Sequence, residues 1–242
     1  MRPRAWRIAK PPRRRADQPP PVTRAARPAA VLFDCDGVLA DSEAVVNAIV
    51  AEELSARGWP MTAMEAQEAF LGLALPDMIP RIEARIGALP PDWGHALSRQ
   101  IASAMEERTM PVDGAVEAVR AIAAAGIPVA VASNSARQEL AAKLHGLGLA
   151  AVFGARAFSF EDVDRPKPWP DLYRAAAEAC GAAPRDCVVI EDSVPGVRAG
   201  RAAGCHVLGL ARHLPGAVLA AHGAEPFGSM ERLPGLLGIA AP

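Results

Sequence analysis

The stretch VLFDCDGVLADSE, residues 31–43, runs the apolar Val31, Leu32 and Phe33 into an aspartate and then places four carboxylates, Asp34, Asp36, Asp41 and Glu43, within ten positions. Like charges this close repel one another and are costly to desolvate. A bound cation is the simplest group that offsets both effects. The stretch therefore predicts a short buried strand, Ala29 to Asp34, that ends at a cation-dependent site.

Reading outward, residues 44–58 (AVVNAIVAEELSARG) have helical apolar spacing and stop at Gly58. Residues 59–108 stay helical in character and contain no strand-like run. After Met110-Pro111 the pattern alternates. Helices are predicted over 113–126, 136–148, 170–181 and 196–204, and apolar strands over 127–133, 187–192 and 205–210. Alternation of this kind predicts an α/β fold with a Rossmann-like parallel sheet covered on both faces. The helical block after the first strand is then an insertion. Ligands of such sheets bind at the carboxyl ends of the strands. Asp34, Ser133 and Asp192 each end an apolar run, so three distant segments are expected to deliver polar groups to one edge.

Four motifs stand in order: Asp34-Cys35-Asp36-Gly37-Val38, the strand-end pair Ser133-Asn134, Arg165-Pro166-Lys167-Pro168 before a helix, and Glu191-Asp192-Ser193 followed by Pro195-Gly196. In this order and context they resemble the haloacid dehalogenase-like (HAD) superfamily of phosphotransferases. Within it they resemble the phosphoglycolate phosphatase and β-phosphoglucomutase-like branch, which carries a helical cap. The resemblance covers residues 29 to about 212. It implies that Asp34 is a nucleophile that forms an aspartyl-phosphate, splitting one hard step into two. It implies that Asp36 is the general acid and base, which requires surroundings that raise its pKa. Dehalogenating members need no proton donor and lack an acid at that position, so Asp36 points to phosphoryl transfer. Gly37 allows the tight turn after the strand. Ser133, Asn134 and Lys167 are implied as phosphate-binding groups. Mg2+ is the implied cofactor, held by Asp34, the Asp36 backbone carbonyl, Asp192 and, directly or through water, Glu191. Asp41 and Ser42 are either a hinge or a plain solvated turn.

In this family a helical insertion after the first strand is a mobile cap that closes over the site and selects the substrate. The expected division is a core of residues 29–43 and 109–242 and a cap of 44–108. The segment FLGLALPDMIPRI, 70–82, resembles the substrate-facing loop of the cap. Here it offers Leu71, Leu73 and Leu75 where a mutase would carry cations for a second phosphate, although Arg81 and Arg85 lie nearby. The same leucines would equally serve as cap core. The expected function is a Mg2+-dependent phosphatase acting on a small phosphorylated metabolite of the phosphoglycolate or sugar phosphate class. A β-phosphoglucomutase-like hexose phosphate mutase is the alternative, and a non-catalytic binding protein a third.

Composition bounds the rest. The chain has 242 residues, 51% apolar and 22% charged, with a net charge of −1. That balance hides an asymmetry. Residues 1–28 hold nine basic residues, one acid and seven prolines, leaving 17 basic against 26 acidic residues in the remainder. The Pro/Arg-rich head cannot build a core and is expected to be a disordered tail rather than an anionic-surface tether; it lacks the apolar segment of a secretory signal. The acidic body argues against nucleic acid as a partner. No apolar run approaches the roughly 20 residues that span a bilayer, so no membrane partner is expected. Cys35, Cys180, Cys187 and Cys205 form no CxxC pair and read as small buried side chains in a reducing compartment. The five histidines match no motif. A cytoplasmic monomer or weak homodimer acting on a small phosphate monoester is the resulting expectation.

Overall fold

The computed structural model describes residues 27–239; the basic head, apart from Arg27 and Pro28, lies outside the described residues. The fold is α/β, with one six-stranded parallel sheet in the order β3-β2-β1-β4-β5-β6. The strands are β1 (Ala30–Phe33), β2 (Val129–Ser133), β3 (Ala157–Ser159), β4 (Cys187–Glu191), β5 (His206–Leu210) and β6 (Glu225–Phe227). The helices are α1 (Glu43–Ala56), α2 (Ala63–Phe70), α3 (Leu75–Ile86), α4 (Trp93–Arg108), α5 (Ala115–Ala124), α6 (Arg137–Gly146), α7 (Ala150–Phe153), α8 (Asp171–Ala179), α9 (Val194–Ala203), α10 (Gly216–Ala221) and α11 (Leu233–Leu236).

Continuous apolar runs form the central strands because both faces of the sheet are covered. Side chains alternate across a strand. Val31 and Phe33 thus face one way with Val129, Val131, Val188 and Ile190, against α5, α6 and α7. Ala30 and Leu32 face the other way with Ala130, Ala132 and Val189, against α8 and α9. On that second face the alanines of β1 and β2 meet Ala176 and Ala177 of α8, small side chains that let the helix approach closely. The helices α1 to α4 follow β1 directly and bury a separate cluster that includes Val50, Leu54, Phe70, Ile82, Leu97 and Met105. Ala142 of α6 joins this cluster, so the inserted helices rest on the core through α6.

The edge strands β3 and β6 escape sequence patterning. Each has three residues, partly exposed, and β6 contains Pro226, which demotes a run in any apolar count. The short helices α7, α10 and α11 are likewise too brief to show a period. Three cysteines, Cys35, Cys187 and Cys205, are buried and Cys180 is partly so; all four are free. Among the described residues no helix is long and apolar enough to cross a membrane.

Phe33 is fully buried and meets Phe153 edge-on at 6.2 Å between ring centroids. Phe33→Ala is expected to cost about 3–5 kcal/mol of stability, read as a shift of the urea midpoint with an unchanged slope.

Candidate active site

Lys167 stands at the centre of the site. It is 2% exposed, yet its Nζ lies 2.5 Å from Asp34 Oδ1 and 2.7 Å from Glu191 Oε1. Burial alone would strip the charge from a lysine, but the two flanking carboxylates hold it above its usual pKa. Tyr173, whose ring the ammonium overlies at 4.8 Å, also donates its hydroxyl to Glu191 Oε1 at 2.8 Å. The loop is fixed from below, since the Lys167 amide donates to Asn134 Oδ1 at 2.9 Å and Asn134 Nδ2 donates back to the Lys167 carbonyl at 3.1 Å.

Asp34 follows β1, while Glu191 ends β4 and is followed by Asp192. The strands are parallel neighbours, so all three carboxylates emerge at one edge. One oxygen of each lies within 4.8 Å of the others, an arrangement able to hold a hard divalent cation. The three are not equivalent. Glu191 Oε1 accepts from Lys167 and Tyr173, and Oε2 accepts from the Asp192 and Ser193 amides and the Ser193 hydroxyl. Its lone pairs are therefore already in use. Asp192 is 2% exposed and its Oδ2 has no hydrogen-bond partner among the described residues. A buried carboxylate oxygen without a donor is strongly disfavoured, and a cation beside Asp34 is what it fits. Gly37 keeps that place open. Its φ is +73°, and a Cβ there would lie 1.9 Å from Asp192 Oδ2. Glycine thus serves the turn and also the approach of the carboxylate.

Burial dominates the electrostatics of this group. It raises Asp34 to about 8 even though Lys167 opposes it, with Glu191 and Asp36 adding to the rise. Burial and the neighbouring Glu191 and Asp34 push Asp192 well up too. Asp34 and Asp192 are thus both pushed toward their protonated forms.

Asp36 behaves in the opposite way. Burial pushes it up, but the Lys143 ammonium, 2.5 Å from Oδ1, and donation from Ser42 and Ser135 bring it down to about 2. The proposed acid therefore sits in surroundings that lower its pKa, against the expectation of a raised one, because a buried lysine on α6 faces it. Lys143 is 1% exposed and also donates to Ser135 Oγ at 2.8 Å. Glu139, one turn earlier on α6, is raised to about 7 by burial, with Lys143 and a hydrogen bond from Ser98 of α4 opposing. Ser98 of α4, Glu139 and Lys143 thus link the inserted helices electrostatically to Asp36. Glu43 opens α1; burial, with Asp36 and Asp41 adding, lifts it to about 7, and it accepts from Gln67 Nε2 at 2.6 Å. It also lies 3.1 Å from His213.

Of the expected phosphate ligands, Lys167 and Asn134 line the cavity above Asp34, together with Asp36 and Asp192. Asn134 also donates to the Gly72 carbonyl at 2.9 Å, tying the core to the α2–α3 loop. Ser133 does not line the cavity. Its buried hydroxyl lies 3.4 Å from Asp36 Oδ2 and accepts from the Ser135 amide at 3.0 Å. Asp41 pairs at the surface with Arg212 at 3.2 Å, and Arg165 pairs with Asp171 at 3.1 Å.

Lys143, Ser135, Glu139 and Tyr173 are the site residues that motif reading missed. One signal for Lys143 was available. Positions 136, 140, 143 and 147 read Ala, Leu, Lys, Leu, so a lysine interrupts an apolar helical stripe. A charge placed there must be buried with a partner.

Two outcomes follow from these electrostatics. Acids raised by burial stabilise the fold below about pH 4 and lose that contribution as pH climbs through their folded values. Asp34, Glu43 and Glu139 act in this sense between pH 4 and 8, and Asp192 acts in the same direction. The melting temperature in EDTA should therefore fall from pH 5 to pH 8, and excess Mg2+ should reverse most of the fall. Lys143→Met leaves Asp36 and Glu139 without their cation and should cost about 3 kcal/mol in urea unfolding.

The haloacid dehalogenase-like hydrolase model matches residues 28–204. The chain is 32% identical over 191 residues to hexitol phosphatase A of Escherichia coli K12, covering 73% of this chain and 80% of that one. It is 32% identical over 179 residues to the bifunctional riboflavin kinase/FMN phosphatase of Arabidopsis thaliana, of which it spans 47%. A HAD family hydrolase from Deinococcus radiodurans R1, solved with phosphate and sodium, superposes with a TM-score of 0.68 at 35% identity, over 88% of this chain and 96% of that one. With a family match over most of its length and the ordered carboxylates at the sheet edge, the chain belongs to the haloacid dehalogenase-like hydrolases.

Proposed function

We propose that this chain is a Mg2+-dependent phosphatase that hydrolyses a small phosphate monoester through an aspartyl-phosphate on Asp34. The observation that carries the reading is the convergence of Asp34, Glu191 and Asp192 at one sheet edge, with Asp192 Oδ2 buried and unpartnered among the described residues. The named activities of the relatives point the same way, hexitol phosphatase A among them.

Asp34 and Asp192 would hold the Mg2+, with the Asp36 carbonyl as a further ligand. Bound there, the ion offsets the charges of carboxylate and phosphate so that one anion can approach another. Asp34 Oδ attacks phosphorus, and the bond from phosphorus to the alcohol oxygen breaks as the alkoxide takes a proton from Asp36. Water, deprotonated by Asp36, then hydrolyses the acyl-phosphate and returns Asp34. Lys167 keeps positive charge beside Asp34 and the phosphoryl oxygens. Glu191, saturated with donors, acts as the group that positions Lys167. Asn134 and Ser133 serve by holding the Lys167 loop and the Asp36 neighbourhood. Asp36 must leave its contact with Lys143 to carry a proton, and the helices α1 to α4, acting as the cap, would drive that exchange through Ser98 and Glu139.

The mutase alternative has little support. Arg81 and Arg85 are exposed and neither lines the cavity; Arg85 instead overlies the Trp59 ring at 6.0 Å. Asp34→Asn, assayed for phosphate release with Mg2+ across phosphoglycolate, sugar phosphates and nucleotides, should lose at least about 10³-fold in kcat while melting within a few degrees of the parent. Parent-like turnover by the variant would remove Asp34 as nucleophile.

A further inference from the structure

The cavity above Asp34 has a volume of about 130 Å3 and a two-sided lining. At its floor are the carboxylates and Lys167. Its walls and roof come from the inserted helices, through Val50, Phe70, Leu73, Met78, Leu97 and Ile101. Asn47 is the one polar side chain that α2, α3, α4 and the α1 residues beyond Glu43 add to this lining.

Its charges are as informative. The two cationic side chains that line it are Lys143 and Lys167. Lys167 is taken by Asp34 and Glu191, and Lys143 by Asp36 and Ser135. Neither is free for a second anionic group on a ligand. Glu43 and Glu139 also face the cavity and lie outside the proposed catalytic set. Ionised, both would oppose a carboxylate or a second phosphate there, and protonated, neither offers such a group a positive charge. A charge brought against this roof would be desolvated with no partner. A methylene brought against it would gain by leaving water.

We propose that the substrate is the phosphate monoester of an uncharged alcohol with a compact apolar body, and that the cap excludes carboxylated and bisphosphorylated esters. This rests on the phosphatase reading above and specifies its substrate class. An apolar cavity of roughly 150 Å3 takes one benzene-sized molecule. With the phosphoryl group and the first carbon of the ester seated at the Asp34 end, the body of the alcohol beyond them is at most about benzene-sized.

The test compares kcat/KM, with Mg2+, for n-butyl phosphate and benzyl phosphate against phosphoglycolate, 6-phosphogluconate and glucose 1,6-bisphosphate. Discrimination by a hydrophobic pocket is worth roughly tenfold or more for each apolar group that fits it. The butyl and benzyl esters should therefore lead by roughly tenfold or more. Leu73→Arg, on the half-buried loop of the cap, should shrink that lead and raise kcat/KM for phosphoglycolate. A parent enzyme that turns over the charged esters as well as or better than the apolar ones overturns the substrate class and leaves the phosphatase reading standing. A folded parent that releases phosphate from none of the five overturns both.

Discussion

The structure depends on keeping a buried lysine charged among buried carboxylates. Lys167 has almost no contact with solvent, and only Asp34 and Glu191, each within 2.7 Å, make its charge tolerable. Removing any one of the three would strand the charge of the others. The surrounding scaffold follows from that demand. Parallel strands bring Asp34 and Glu191 side by side, and Asn134 clamps the loop that carries the lysine. Ser193 caps α9 through the Gly196 amide while donating to Glu191. Gly196 has no Cβ because one would overlap the Glu191 carboxylate. Asp192 Oδ2, by contrast, is buried with no hydrogen-bond partner among the described residues.

A second charged pair, Asp36 with Lys143, lies beside the first and answers to a different part of the molecule. Lys167 belongs wholly to the core, whereas Lys143 sits on the helix against which the inserted helices pack. Glu139 and Ser98 continue that link into α4. The two acids of the DxD motif, two residues apart, face different lysines, yet burial carries Asp34 up to about 8 against Lys167 while Lys143 and two serines bring Asp36 down to about 2. Environment rather than residue type separates these two carboxylates, and on the Asp36 side that environment is linked to the inserted helices through Lys143, Glu139 and Ser98. The cavity above Asp34 is largely apolar where the inserted helices line it, and both lysines that line it are held by carboxylates.

Much of this was legible in the residues. Asp34, Asp36, Lys167, Glu191 and Asp192 could be picked out because strand-end acids after apolar runs are rarely structural, and because a proline-flanked lysine marks a rigid loop. The four central strands were legible for the same reason, since burial on both faces leaves unbroken apolar runs. The edge strands were not, because three half-exposed residues carry no pattern. Lys143 was missed because a single lysine in an amphipathic helix reads as solvent-facing unless the phase of the stripe is checked. The partners of Glu191 were not legible either: its place beside Asp192 gives no sign that five donors reach its oxygens.

The amino-acid sequence by itself determined the parallel α/β core, the helical insertion and the chemistry of the strand ends, because these rest on local apolar periodicity and on residue types at short spacing. Only the tertiary structure decided how charge is shared among them. Which lysine pairs with which aspartate, which carboxylate is left unpartnered, and whether the cap arginines reach the cavity are matters of a few ångströms between residues up to 133 positions apart. Electrostatic energy changes steeply over such distances in a buried site, and no pattern along the chain encodes them.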